Sequence, residues 1–286
     1  MNLNNKITVI IVAYNSTNLI FECLKNLVNF NIIIVDNKND KKIIDRLKEY
    51  KNVLIITKNN NLGFGNAINF AFEHVTTEYF LILNPDIIIS EESILKINNT
   101  IDKYNDCAIA APINIPDKDS FGIFPEKRGF YKKNENKIFS EKNIKLREPD
   151  GEICVDVSKG CALLIRSEHF KKVKGFSKEY FLFWEEIDIC RKFRKEGFSV
   201  IVNPKSIAKH DQGNSSKKNI FSFFIRSYHN EISPLYYFKV NKLNKRIYTN
   251  ILKYFFRSIS YLFILNLKNS LKNFAKLSAN INYILK

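Results

Sequence analysis

The sequence predicts an α/β fold with a mostly parallel central sheet flanked by helices. Short runs of β-branched and other apolar residues alternate with segments that repeat apolar residues at helical spacing. The runs are apolar almost throughout, which is typical of strands buried on both faces of a parallel sheet. Repeated alternation of strand and helix indicates a doubly wound α/β domain.

The first hundred residues contain four candidate strands and four candidate helices. The strands are predicted over residues 7–13, 32–35, 53–56 and 79–83, and the helices over 16–29, 41–50, 65–74 and 91–104. Ser90 is a favourable N-cap for the fourth helix, because its hydroxyl oxygen can accept a hydrogen bond from a free amide of the first turn.

Each of these strands ends in a cluster of polar residues. The clusters are Tyr14–Asn15, Asp36–Asn37, residues 59–63 and residues 84–86. Ligands of open α/β sheets bind beyond the carboxyl ends of the strands, where these clusters would meet. The sequence therefore predicts a ligand pocket at this edge of the sheet.

The second half of the chain is less regular. Residues 108–150 are rich in Pro, Lys and Asn, so we expect irregular structure with a long loop over 122–144. Loops of that length are usually functional lids or disordered. Regular structure is predicted again beyond residue 154, in a strand over 154–166 interrupted at Lys159–Gly160, helices over 168–173 and 187–197, and a strand over 199–202 ending at Asn203–Pro204.

The positive charge is concentrated in the last quarter of the chain. Residues 217–286 carry thirteen Lys and Arg against one acid, within a formal net charge of +16 for all 286 residues. We therefore divide the chain into a main domain, residues 1–216, and a basic, aromatic-rich helical region, residues 217–286. This region contains no basic-aromatic recognition motif for nucleic acid, so we expect no nucleic-acid partner.

Residues 251–268 predict an amphipathic basic helix. Its longest charge-free run is residues 258–267, which is shorter than the ~20 residues of a spanning helix, so we expect it to lie on a membrane surface. Docking of the same apolar face on the main domain or on a partner subunit is the alternative. The apolar side of the helix holds Ile251, Leu252, Phe255, Phe256, Ile259, Leu262 and Phe263, and the other side holds Lys253, Arg257, Ser260 and Lys268.

The stretch LILNPDIII, residues 81–89, places a carboxylate between two apolar runs. Pro85 would stop the strand, so Asp86 would be fixed at the carboxyl end of a buried strand and would face the crevice. An oxygen ligand at such a place suits a hard divalent ion that also binds phosphate oxygens.

Seven motifs together resemble family 2 glycosyltransferases of the GT-A fold, most closely the rhamnosyltransferase-like branch. In chain order they are VIIVAYN, IIIVDN, NNNLGFGNAIN, LILNPD, SKGCALLIRSEHFKKVKGF, FLFWEEIDICRKFRKEGF and KHDQGNSS. The resemblance covers roughly residues 7–216. Each motif alone is weak, and their order and spacing make the set specific.

The resemblance implies a nucleotide-sugar site with a divalent metal, Mn²⁺ or Mg²⁺. Asp86 and His210 are the implied metal ligands, and Asn84 stands where the family usually has the first Asp of its DxD motif, so the site has one ligand charge fewer. The implied nucleotide-sugar residues lie at the four strand ends: Ala13, Tyr14, Asn15, Asp36, Asn61, Gly63, Asn84 and Asp86.

The resemblance also implies the base and the acceptor side. Glu186 matches the second acid of the family's Asp/Glu-Asp pair, with Glu185 as the alternative base, and a carboxylate within hydrogen-bonding reach can take the proton of a sugar hydroxyl. Asp188 has either a role in the site or the role of an acid at a helix N-terminus. Gly160 is implied to lie under the acceptor, and Trp184 is either a platform for the sugar or a core residue.

These features predict an inverting glycosyltransferase of cell-surface polysaccharide synthesis. Its partners would be a UDP- or dTDP-linked sugar donor, a glycan or lipid-linked glycan acceptor, and the membrane surface; homo-oligomerisation stays open. No leader pattern opens the sequence and the five scattered cysteines form no CxxC pair, so we expect a cytoplasmic protein, peripheral on the inner face of the membrane. The alternatives are a GT-A binding module that has lost activity, and a sugar nucleotidyltransferase, although no glycine-rich loop follows the first strand.

Overall fold

The computed structural model describes residues 3–16, 19–116, 120–127, 151–210, 219–243 and 247–285. The strands are β1 Ile7–Ala13, β2 Asn31–Asp36, β3 Val53–Thr57, β4 Tyr79–Leu83, β5 Ile87–Ile89, β6 Cys107–Ile115, β7 Phe121–Gly122, β8 Ile153–Cys154, β9 Val157–Ser158, β10 Ala162–Arg166 and β11 Ser199–His210. The α-helices are α1 Leu19–Leu24, α2 Lys41–Leu47, α3 Phe64–Phe72, α4 Glu91–Lys103, α5 Ser167–Lys172, α6 Glu185–Lys195, α7 Ile220–Val240, α8 Ile247–Phe263 and α9 Leu267–Leu285.

A mixed sheet forms the centre of the main domain. Its order is β3-β2-β1-β4-β10-β6-β11-β5, with β8 added beside β11. The first four strands are parallel, as predicted, and the side chains of β1, β2 and β4 fill the core on both faces of the sheet, whereas the edge strand β3 is only partly buried. Beyond β4 the sheet departs from the mostly parallel prediction, because β10 runs antiparallel to both β4 and β6.

Two strand predictions were wrong in the second half of the sheet. The start of the segment predicted irregular, residues 108–115, belongs to β6. The pairing of β6 with β10 and β11 outweighs the weak strand pattern of an alanine-rich segment with Pro112. The last strand does not end at Pro204. It continues to His210 through a register shift between Asn203 and Ile207, where a proline removes no regular ladder hydrogen bond.

The helix that carries the acids begins earlier than predicted. We expected it to start at residue 187, but α6 starts at Glu185, so both glutamates lie in its first turn. The last part of the chain forms helices α7, α8 and α9, and α9 packs against both of the others. None of the helices in the described ranges combines the length and apolarity that a membrane span needs. The predicted loop over 122–144 and the motif residues 211–215 lie largely or wholly outside the described residues.

Candidate active site

Asp86 lies in the turn between β4 and β5, at the edge where the parallel strands end. The turn is closed by a hydrogen bond from the amide of Ile87 to the carbonyl of Asn84, at 3.1 Å. Asp86 is 4% exposed, and its Oδ1 has no hydrogen-bond partner among the described residues. A buried carboxylate oxygen without a partner is costly in a folded protein, so this atom is a natural place for a cation or a donor group.

His210 is brought to Asp86 by the pairing of β11 with β5. His210 is in register with Ile87, and its Nε2 lies 3.7 Å from Asp86 Oδ2. The extension of β11 past Pro204 therefore places the histidine beside the carboxylate. In the part of the chain that the structure describes, no group of three or more His, Cys, Asp or Glu could hold a metal ion, so Asp86 and His210 form a pair only.

The loops after β1, β2 and β3 are joined by Asn37. Its amide donates to the carbonyl of Ala13 at 2.9 Å, its Nδ2 donates to the carbonyl of Gly63 at 2.9 Å, and its Oδ1 accepts from the amide of Leu62 at 3.2 Å. Three hydrogen bonds from one buried residue fix the relative positions of three strand ends. Asn37 was not among the predicted site residues, although an asparagine directly after a buried strand was a usable signal.

The predicted nucleotide residues at β1 and β2 differ in accessibility. Tyr14 is 42% exposed beyond β1, next to Asn15, whereas Ala13 and Asp36 are fully buried. The two carboxylate oxygens of Asp36 accept hydrogen bonds from the amides of Lys38 and Asp40, at 3.0 and 2.7 Å. The Asp36 carboxylate therefore holds the loop after β2 in shape.

Asn61 and Gly63 shape the loop after β3. Asn61 Oδ1 accepts from the amide of Gly63 at 2.9 Å, which is a local turn. Gly63 has φ +78°, and a Cβ there would lie 2.1 Å from the carbonyl oxygen of Phe181. A glycine is required here because the loop closely approaches the backbone of the aromatic run, residues 180–184. The carbonyl of Phe181 in this run also accepts a hydrogen bond from the amide of Phe64 at 3.0 Å.

Glu185 and Glu186 differ in their surroundings at the start of α6. Glu185 is buried, and its Oε2 has no hydrogen-bond partner among the described residues. Burial and the neighbouring Glu186 raise the pKa of Glu185 well above its ordinary value. Glu186 is half-buried, and desolvation raises its pKa. A carboxylate with a raised pKa is a better proton acceptor near neutral pH than an ordinary one.

A short link connects the acid pair to the turn that holds Asp86. The carbonyl of Cys161 accepts from the amide of Asn84 at 2.9 Å. The adjacent Gly160 lies against Glu186, since a Cβ on Gly160 would be 3.3 Å from the Cβ of Glu186. The predicted site residues Asn84, Asp86, Gly160 and Glu186 are thus connected through one piece of backbone.

Asp188 is occupied by contacts within the domain. Its Oδ2 accepts from Ser177 Oγ at 2.6 Å, and its Oδ1 accepts from the hydroxyl of Tyr180 at 3.3 Å. Desolvation raises the pKa of this buried carboxyl. These contacts fix the start of the aromatic run to α6. Asp188 thus has the position and the contacts of a structural acid near a helix N-terminus.

The aromatic run packs against α7. The ring of Phe181 stacks on His229 with centroids 4.8 Å apart, and Ser233 Oγ donates to the carbonyl of Leu182 at 2.9 Å. The Trp184 ring lies 5.4 Å from the ring of Tyr237. The first helix of the basic region therefore lies against the segment that leads to the acid pair, a contact that no sequence pattern indicated.

Phe183 and Trp184 adopt left-handed backbone conformations. Their φ angles are 66° and 73°. Such conformations cost about 1–2 kcal/mol for a residue with a side chain, so the surrounding contacts must hold them. The contacts of the run with α7 supply this restraint at the residues directly before Glu185.

The chain is similar to known proteins in sequence and in fold. The family model described as glycosyl transferase family 2 matches residues 8–169. Rhamnosyltransferase WbbL of Escherichia coli strain K12 is 25% identical over 241 residues, which cover 77% of this chain and 87% of that protein. A 110-residue stretch is 37% identical to the teichoic acid poly(glycerol phosphate) polymerase of Staphylococcus epidermidis and covers 34% of this chain but 15% of that protein. The chain thus spans a small part of that relative's length.

Among solved structures, the fold is similar to that of GalNAc-T7 with UDP, GalNAc and Mn²⁺. The TM-score is 0.58 at 13% identity, and the match covers 79% of this chain and 48% of the other. The mixed α/β sheet is therefore a GT-A-like fold. The resemblance to family 2 and to its rhamnosyltransferase-like branch is confirmed, because the family model spans more than half of the chain and a named rhamnosyltransferase matches most of it. The chain belongs to glycosyl transferase family 2.

Proposed function

We propose that this protein moves a sugar from a nucleoside-diphosphate sugar to a hydroxyl group of a glycan or lipid-linked glycan, with inversion at the anomeric carbon. The observation that carries this proposal is the buried Asp86 carboxylate, whose Oδ1 has no hydrogen-bond partner among the described residues and whose Oδ2 lies 3.7 Å from His210 Nε2. The turn that holds Asp86 is linked to the acid pair of α6 through Cys161 and Gly160. A UDP- or dTDP-linked donor would bind at the strand ends, with Tyr14, Asn15 and Asn61 nearest the nucleotide. The acceptor would approach from the side of Gly160 and Trp184.

Asp86 and His210 fit a divalent metal. Carboxylate oxygen and imidazole nitrogen suit Mn²⁺ about as well as Mg²⁺, and Asn84 leaves the site with a single ligand charge from the protein. When bound, such an ion stabilises negative charge on the departing diphosphate as a Lewis acid. The similar solved structure with Mn²⁺ and UDP supports this assignment.

Glu186 is the proposed base. It is the more accessible of the two glutamates, and it packs against Gly160, where a larger residue would crowd its Cβ. As the acceptor oxygen attacks the anomeric carbon from the side opposite the diphosphate, its proton passes to the Glu186 carboxylate. Glu185 has no comparable access, so its proposed role is to support the position of Glu186.

The basic region, residues 217–286, is proposed to hold the enzyme at a membrane surface. Thirteen Lys and Arg against the single acid Glu231 attract anionic headgroups, and α8 leaves large apolar side chains exposed. Because α7 also packs on the aromatic run, the division at residue 216 separates two regions that act on one site. A place at the inner face of the membrane would bring the site to a lipid-linked acceptor.

Replacing Glu186 with Gln tests the proposal. We expect sugar transfer to disappear while donor binding, measured by calorimetry with UDP- and dTDP-sugars and Mn²⁺, is retained. Glu185→Gln is the matched control, and it should keep measurable transfer. Turnover that persists in Glu186→Gln would refute the base, and absence of both transfer and donor hydrolysis in the wild type would favour a binding module.

A further inference from the structure

Helices α8 and α9 form an antiparallel hairpin with a closed tip. Ser258 and Ser270 hydrogen-bond across the pair, with Ser270 Oγ 2.8 Å from the carbonyl oxygen of Ser258. At the tip, the amide of Leu265 donates to the carbonyl of Leu262 at 3.0 Å, and the amide of Asn266 donates to the carbonyl of Tyr261 at 2.8 Å. The backbone of the turn is thus largely satisfied internally, which is the condition for entry into an apolar medium.

The groove between the two helices is lined by four cations. Lys253 and Arg257 stand on α8, Lys272 and Lys276 stand on α9, and the cavity has a volume of about 200 Å³. Lys276 lies 3.5 Å from the buried Glu231 carboxylate. The described residues that line the groove include no acid; Glu231, the only acid in the sequence of residues 217–286, lies behind the groove, where it also accepts from the hydroxyl of Tyr254 at 3.0 Å. Like charges held together around a cavity repel one another, so the groove favours an anion.

The groove opens toward an apolar tip. Phe263, Ile264, Leu265 and Leu267 are 84%, 68%, 83% and 64% exposed. No charged residue lies between Ser258 and Leu267. Exposed apolar groups this concentrated mark an interaction surface with a partner or a membrane.

The spacing between the tip and the cations matches the depth of a lipid headgroup layer. Arg257 precedes Phe263 by six residues and Lys272 follows Leu267 by five, so both lie about 8–9 Å from the tip along the helix axes. Apolar groups of interfacial helices enter about 5–10 Å into the headgroup and acyl boundary. A hairpin that enters by its tip therefore holds the first pair of cations at headgroup level.

A helix lying flat would not achieve this. At 100° per residue, Lys253 and Arg257 stand on the side of α8 away from the exposed Leu252, Phe255 and Ile259. A flat α8 resting on these apolar residues would lift the two cations away from the bilayer. Entry by the tip keeps the apolar residues 263–267 and the nearest α8 cation, Arg257, in contact with the bilayer.

We propose that the groove between α8 and α9 binds the phosphate of an anionic phospholipid while residues 263–267 enter the bilayer. The inference rests on the proposed membrane association and gives it a site, an orientation and a ligand class. The cations of the groove would replace the water around the phosphate, and the neighbouring apolar tip would contact the acyl chains of the same leaflet.

The test uses the full chain and vesicles of phosphatidylcholine with or without phosphatidylglycerol. We expect Arg257→Gln combined with Lys272→Gln to weaken cosedimentation with phosphatidylglycerol vesicles about tenfold to thirtyfold, at ~1 kcal/mol per cation. Lys42→Gln combined with Lys51→Gln is the control pair. It removes two exposed charges close to the edge strand β3 and should weaken vesicle binding less than about threefold. Arg257→Lys combined with Lys272→Arg should retain binding.

Depth is measured separately with tryptophan variants and lipids brominated on the acyl chain. Leu265→Trp should be quenched strongly and Leu252→Trp weakly, relative to the wild type with Trp184 alone. Equal quenching would overturn the tip-first orientation, and equal weakening by the two charge-removing pairs would overturn the phosphate site. Binding only to vesicles that contain a polyprenyl diphosphate would overturn the ligand class. So would a protein dimer that forms through the tip and that Leu265→Ser abolishes.

Complete absence of wild-type binding to every vesicle would instead overturn the membrane association itself. Transfer to a soluble acceptor is measured alongside, because the groove takes no part in the proposed chemistry and its variants should keep that activity. The experiments thus separate three results: loss of the phosphate site in the groove, loss of membrane binding, and loss of sugar transfer.

Discussion

Ser233 Oγ on α7 donates a hydrogen bond of 2.9 Å to the carbonyl of Leu182, three residues before Glu185. The contact links the basic region to the backbone that positions the acid pair. Stacking of Phe181 on His229 and packing of Trp184 on Tyr237 act on the same segment. The aromatic run is therefore held from outside the main domain, and this explains how two successive left-handed residues persist there.

Ser233→Ala should lower kcat by about fivefold to thirtyfold and leave donor affinity unchanged. Loss of one hydrogen bond with a part-buried carbonyl left unpaired costs about 1–2 kcal/mol, and the cost falls on the position of Glu186. Ser278→Ala on α9 is the control, since its hydroxyl donates to the carbonyl of Phe274 in its own helix. Equal effects of the two substitutions on kcat would contradict a positioning role for α7.

Asp86→Asn should abolish the dependence of donor binding on Mn²⁺. The amide keeps the shape of the carboxylate but removes the negative charge that attracts a divalent ion. Titration of the nucleotide with and without Mn²⁺ should therefore give the same affinity. His210→Gln should weaken Mn²⁺ binding less severely, because the imidazole is neutral as a ligand. A metal effect that survives Asp86→Asn would place the ion elsewhere.

Gly160→Ala should impair turnover without unfolding the protein. The added methyl would meet the Cβ of Glu186 at 3.3 Å, so the glutamate must shift by a few tenths of an ångström, and misplacement of a reacting group is costly. We expect kcat to fall at least tenfold. A Cβ on Gly122 has open space around it, so Gly122→Ala is the control and should leave both kcat and thermal stability unchanged.

Glu185→Gln should stabilise the protein at neutral pH and lose that advantage in acid. Burial and Glu186 raise the pKa of Glu185 in the folded state, so the folded protein binds more protons than the unfolded chain between the unfolded pKa and this higher value. The free energy of unfolding of the wild type therefore falls as pH rises through this window. Glu185→Gln lacks the titrating carboxyl and does not lose this stability.

Thermal unfolding from acid to neutral pH measures this effect, with each 1 kcal/mol worth about 2–4 °C in Tm for a chain of this size. Asp45→Asn changes an exposed acid on α2 and serves as the control. A constant difference between Glu185→Gln and the wild type at all pH values would mean that Glu185 titrates normally.

The sequence predicted the first half of the main domain well. Strands β1 to β4 are apolar on both faces, so their pattern determines strand and parallel pairing, and for β1, β2 and β4 burial as well; β3 is apolar too, but its place at the sheet edge leaves Leu54 exposed. The sequence also placed Asp86 at the end of a buried strand, since Pro85 interrupts a run that is otherwise apolar. It failed for β6 and for the extension of β11 to His210, because these strands depend on partners far away in the chain.

What the sequence determined by itself was the family, the parallel core and the candidate acids, all of which follow from local patterns and their order. Only the tertiary structure decided which of them meet. It placed His210 beside Asp86 through the pairing of β11 with β5, set Glu186 against Gly160, and turned Asp188 and Asp36 toward internal hydrogen bonds. It also packed α7 on the aromatic run, because long-range contacts of this kind depend on the packing of whole elements and leave no periodicity in the chain.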